Sequence, residues 1–175
     1  MYLFLNTQNS PFFLQQEVLE LYQKICLNLE LREINRFLKA VDISNGLLRA
    51  TNKNLWDDKY WHLLIDCLSP LLIGLKMTSS QKYNSFISGE NPEPFISLFN
   101  ANEITDRLLD YWGLIPSDET DLRSKEAKLK PLYYAIFNNS SENKVKVGNL
   151  SIDIDTKKNL LEITSLLSNY AGYDE

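Results

Sequence analysis

His62 is the single histidine of this chain, and Cys67 lies five residues beyond it. A thiol and an imidazole are the parts of a nucleophile–base pair, in which the base draws the proton from sulfur. On one helix, however, five residues turn through about 140°, so the two side chains point apart. Cys26, the other cysteine, reaches His62 only through the tertiary fold. A working site also needs a third group to orient the base, and no spacing supplies one. All three residues are expected to be structural. The histidine sits on a partly buried helix face, and the thiols act as small buried hydrophobes in a reducing compartment.

The other chemistry-bearing patterns carry less. One histidine and no Cys-x-x-Cys pair rule against a zinc site. Asp153 and Asp155 share one face of a short alternating segment and have the oxygen chemistry of a hard-cation site. Pairing of Asp153 with Lys144 and helix capping by Asp155 explain them without a metal. Glu126-Ala-Lys128 has the Glu-x-Lys spacing of some metal-dependent nucleases, but it lies in a helical stretch rather than on a strand beside a second acid. The six glycines are scattered, and none forms a phosphate-cradling loop. No cofactor or metal is expected, and no catalytic residue is assigned.

What remains is charge. The net charge of -5 opposes non-specific approach to nucleic acid, yet it is unevenly spread. Residues 84–122 hold Arg107 against eight acids, a net of -7, and residues 123–158 hold eight basic side chains against four acids, a net of +4. Arg123, Lys125, Lys128 and Lys130 are followed by Lys144, Lys146, Lys157 and Lys158, with Tyr133 and Tyr134 between them. If these residues share a face, basic charge beside aromatic rings is a composition suited to nucleic acid. A solvated face, or one that docks on an acidic surface including the chain's own 84–122 region, fits the same pattern. Trp56, Tyr60 and Trp61 stand in a dense apolar stretch and read as core.

The elements that must position these residues follow from periodicity. At 175 residues, with 44% hydrophobic and 23% charged residues, the chain fits one domain spanning 1–175. The expected fold is mainly α: a compact bundle of about six to eight helices with one C-terminal β-hairpin and a candidate N-terminal edge strand at Tyr2–Leu5. Ser10-Pro11 opens a first helix. A second fits Leu31 to Ile43, closed by Asn45-Gly46 in a left-handed cap. A third begins at Asn54, and Ser69-Pro70 kinks or ends it. Thr78-Ser79-Ser80 starts a short helix that ends near Gly89, and Glu90 to Pro94 is a loop before one or two turns to Asn100. Asn102 caps a helix through Trp112, stopped by Gly113. Another runs from about Glu119 to Phe137, and Pro131 splits or bends it.

Residues 143–155 alternate polar and apolar on both sides of Gly148-Asn149, which is the pattern of a two-residue hairpin turn. On paper Val147 faces Leu150 and Val145 faces Ile152, while Lys144 faces Asp153 on the other side; a slip of one residue destroys both agreements. Asp155 or Thr156 then caps a last helix against which the hairpin packs.

No apolar run approaches the ~20 residues of a membrane span, and the N-terminus lacks the basic and small-residue parts of a signal peptide. The expected location is the cytoplasm. The leading functional expectation is a non-catalytic helical binding subunit or adaptor of a larger assembly, with protein partners. A second is a nucleic-acid-binding small subunit of a ribonucleoprotein, for example a defence effector complex, lying along the nucleic acid with residues 123–158. An acidic inhibitor or immunity protein, masking a basic toxin through residues 84–122, is a third. An enzyme is not expected.

Overall fold

The computed structural model describes residues 31–51, 67–99, 109–110, 113, 122–138, 144–147 and 150–170. The expected first helix, the expected edge strand at Tyr2–Leu5, Cys26, His62, Trp56, Tyr60 and Trp61 lie outside these residues, as does most of the helix expected from Asn102 to Trp112. The described chain is mainly helical. Its helices are α1 (Leu31–Thr51), α2 (Ser69–Thr78), α3 (Ser80–Ile87), α4 (Glu93–Phe99), α5 (Leu122–Phe137) and α6 (Ile154–Tyr170), with strands β1 (Lys144–Val147) and β2 (Leu150–Asp153) between the last two.

α1 does not stop at Asn45-Gly46. Phe37, Ala40, Val41, Ser44 and Leu48 fall on one stripe at helical spacing and all are buried, so burying Leu48 favours one more turn of helix. Gly46 sits on the opposite side with nothing near the place a Cβ would occupy. A glycine in an exposed helix interior costs only about 1 kcal/mol, less than the 1.5–3 kcal/mol or so gained by burying a leucine.

α2 is the central element. Pro70 stands in its first turn, where the missing N–H costs nothing, and every residue from Ser69 to Leu75 is buried. It packs on α1, α3 and α6, and α1 packs on α6. The Ser44 and Ser69 hydroxyls meet at 2.9 Å in the α1–α2 seam. Thr164, buried on α6, turns its hydroxyl back to the Leu160 carbonyl at 2.7 Å, so these interior hydroxyls are satisfied.

A second, aromatic part of the core joins α3, α4 and α5. Phe86 contacts Tyr133 and Phe137 with ring centroids 5.2 and 4.7 Å apart. Phe95 and Phe99 meet edge to face at 4.8 Å. The tilted and edge-on arrangements suit the ring quadrupoles. Tyr133 donates its hydroxyl hydrogen to the Phe86 carbonyl at 2.7 Å, an oxygen near the end of α3 that also accepts from the Gly89 N–H at 3.2 Å.

Local signals set the helix ends. Ser79 caps α3 by accepting from the Lys82 N–H at 3.2 Å. Gly89 follows α3 at φ +83° and Gly113 has φ +69°, both in the region that favours glycine. Asn91 accepts from the Glu93 N–H at 3.2 Å and so turns the chain into α4. Pro131 does not split α5, which runs through it. The proline is exposed, so the carbonyl it leaves unbonded four residues earlier faces the solvent side, while Leu129, Leu132, Tyr133, Ile136 and Phe137 are buried.

β1 and β2 pair antiparallel with Lys144 opposite Asp153, Val145 opposite Ile152 and Val147 opposite Leu150. β1 lies against α5 and β2 against α6. Gly148 and Asn149 lie outside the described residues. α6 starts at Ile154 directly after β2, so Asp155 falls in its first turn rather than before it.

Candidate interaction surface

α5 carries the first part of the basic run, and its helical period breaks that run apart. Successive residues turn by about 100°, so Glu126, Lys130, Pro131, Tyr134 and Asn138 share one arc while Lys125, Leu129, Leu132, Tyr133 and Ile136 share the opposite one. Burial follows this division. Lys125 is 6% exposed and Tyr133 is fully enclosed, which corrects their assignment to an exposed basic–aromatic face. Lys128 stands at the border, half-buried. Tyr134 alone of the tyrosine pair reaches solvent, at 38% exposure, its ring edge-on to Tyr133 with centroids 5.3 Å apart.

The outward lysine is matched by acids. Lys130 Nζ lies 2.6 Å from Glu126 Oε1, one turn earlier. The hydrogen bond and charge of Glu126, with a further contribution from Glu93, raise the Lys130 ammonium above its ordinary pKa. Glu93 belongs to the acidic 84–122 segment, so part of the basic run faces carboxylates of the chain itself. Burial pushes the Tyr133 hydroxyl up to about 12 and lowers the Lys157 ammonium.

Lys157, half-buried at the start of α6, places its ammonium 5.9 Å from the centroid of the Phe137 ring, where the negative ring face favours a cation. Lys158 is exposed. Lys144 and Lys146 hold alternate positions of β1 and therefore one strand face. Arg123 is in the first turn of α5. The side chains of Arg123, Lys144 and Lys146 lie outside the description. Among the described side chains, then, the candidate surface reduces to Lys128, Lys130, Tyr134, Lys157 and Lys158, and helical geometry alone does not gather them into a stripe.

Among the described residues no group of three His, Cys, Asp or Glu is placed to hold a metal ion. Glu126-Ala-Lys128 is helical, with Glu126 engaged by Lys130. Cys67 is a buried thiol outside any disulfide. Among the described residues no helix is long and apolar enough to cross a membrane.

A different surface escapes the sequence reading. Ile43 and Leu47 of α1 are 42% and 45% exposed, and Leu166 of α6 is 67% exposed. Ile43 and Leu47 are one turn apart and lie beside Gly46, off the buried stripe. Their signal is phase: Leu47 is out of step with Val41, Ser44 and Leu48, so one helix continuing through Gly46 must turn it outward.

Comparison with protein-family models, with curated proteins and with solved structures finds no match.

Proposed function

We propose that this chain is a single-domain, non-catalytic helical binding subunit that docks on a protein partner. The observation that carries the reading is the outward pair Ile43 and Leu47 on adjacent turns of α1. Two large aliphatic side chains one turn apart form the kind of helix ridge that packs into a partner's groove. The acidic 84–122 segment steers such a partner without supplying most of the affinity. The reading includes a hairpin over residues 143–155 that leans on α5 and α6, and a cytoplasmic location, consistent with a buried thiol at Cys67.

Protein docking is favoured over nucleic-acid binding because the basic run loses its continuity on α5. Lys125 and Tyr133 are withdrawn, and Lys130 is paired with Glu126. The test is recovery of the tagged chain from its native host, with and without nuclease, beside the double variant Ile43→Asp, Leu47→Asp. The expected result is a stoichiometric protein partner that survives nuclease and is lost in the variant while circular dichroism stays unchanged. Recovery abolished by nuclease, and indifferent to the variant, overturns the reading in favour of the ribonucleoprotein subunit.

A further inference from the structure

Asn45-Gly46 is the only Asn-Gly pair in the sequence, and it lies inside α1 rather than at its end. We infer that it is a latent deamidation site, held silent by the helix and exposed whenever the second half of α1 opens. The chemistry is intramolecular. The Gly46 backbone nitrogen attacks the Asn45 side-chain carbonyl carbon, a carbon–nitrogen bond forms, and ammonia leaves carrying the proton of that nitrogen. Water then opens the succinimide at either carbonyl, leaving aspartate or isoaspartate at position 45. Glycine is the residue that least hinders the attack, because no Cβ stands in the way.

Three observations place the site under conformational control. In α1 the Gly46 N–H is committed to the carbonyl four residues earlier, and a helical ψ near -42° holds that nitrogen away from the side-chain carbonyl. Nothing lies within 4 Å of the Gly46 Cβ position, so the outer side of this turn is open, and the burial of Ser44 and Leu48 on its inner side is what an opening must release. Asn45 Oδ1 is sealed from water with no hydrogen-bond partner, beside the turn whose Ser44 locks onto Ser69.

The product cannot restore this arrangement. A carboxylate at position 45 puts charge on an oxygen that is sealed from water and unpartnered in the native helix, and isoaspartate inserts an extra backbone carbon that breaks the helical repeat. Each opening of α1 therefore risks a one-way change, and the accumulated product records how often the helix opens.

The experiment incubates the full chain in mildly alkaline buffer, native and in denaturing urea. Conversion is followed by mass spectrometry of the tryptic peptide Ala40–Arg49, released by a short digestion. The native chain is expected to convert at least about tenfold more slowly than the unfolded one, each tenfold reporting about 1.36 kcal/mol of opening free energy. Gly46→Ala is expected to slow conversion in urea, and aged chain returned to native buffer is expected to melt at a lower temperature than fresh chain. A native rate within tenfold of the urea rate, a urea rate untouched by Gly46→Ala, or aged chain that melts like fresh chain each overturns the inference.

Discussion

Replacing Gly46 with alanine separates two incompatible readings of one residue. If Gly46 closes a helix in the left-handed conformation, alanine there suffers a clash of roughly 1–2 kcal/mol between its Cβ and the following carbonyl, and the fold loses stability. In the structure Gly46 is instead interior to a helix of 21 residues, its φ is not among the positive ones, and a Cβ built on it meets nothing within 4 Å. No steric term opposes the substitution, so the full difference in helix propensity is available, about 1 kcal/mol in favour of alanine. For a chain of 175 residues that amount raises the melting temperature by about 2–4 °C. Thermal unfolding followed by far-ultraviolet circular dichroism resolves such a shift. In urea the midpoint moves up by about 0.3–1 M, taking an m-value of about 1–3 kcal/mol/M. A lower melting temperature or a lower midpoint refutes the helical placement of Gly46, and with it the outward direction of Leu47.

Three further substitutions test other joints. Gly89→Ala is expected to destabilise by about 1–3 kcal/mol. The positive φ strains any Cβ, and that Cβ lands on the side-chain oxygen of Asn138; equilibrium unfolding in urea reads the loss. Tyr133→Phe removes the donor to the Phe86 carbonyl and is expected to cost about 0.5–1.5 kcal/mol at neutral pH, measured the same way. The same variant carries a pH signature. The Tyr133 hydroxyl rises from 10.0 to about 12 on folding, so the stability linked to it is full below pH 10.0 and is lost as pH climbs to about 12; a phenylalanine variant should lose less stability over that window. Gly148→Val is expected to lower the melting temperature, because the alternation on both sides of Gly148-Asn149 calls for a two-residue hairpin turn and a β-branched residue resists the positive φ such a turn needs; an unchanged melting curve means the turn is built otherwise.

Much of the helical frame was legible because its signals are local. Ser79, Gly89, Gly113 and Pro70 each act through their own backbone chemistry, and the structure uses Ser79 as a cap and the two glycines at positive φ. Asn45-Gly46 has the same local signature as a stop, yet the burial of Leu48 outweighs it, and that contact with the rest of the core is not written in the neighbouring residues. Pro131 is the parallel case on α5. Its local cost was readable, whereas the buried ring cluster of Phe86, Tyr133 and Phe137 that holds the helix through it is assembled from two elements far apart in sequence. Alternation around Gly148-Asn149 specifies a register because one slip moves every apolar side chain to the wrong face; no comparable rule tells a sequence reader which tyrosine of an adjacent pair turns inward.

The basic run shows why charge read along a chain and charge read on a surface differ. Eight basic residues in 123–158 give a net of +4, but a helix spreads neighbours around its circumference, and α5 has one side committed to the core. Lys125 falls on that side, in the same arc as Leu129, Leu132 and Tyr133, so its stem serves as packing. Lys130 falls on the wet side, where the i, i+4 relation to Glu126 supplies a partner from the same helix. A charge reversal at Lys125 therefore tests folding, whereas one at Lys158 tests a surface. If Lys158→Glu together with Lys130→Glu leaves partner recovery unchanged while Ile43→Asp, Leu47→Asp abolishes it, the interface is the α1 ridge. Loss of recovery in the lysine pair with the α1 variant unaffected returns the interface to the 123–158 face and refutes the ridge.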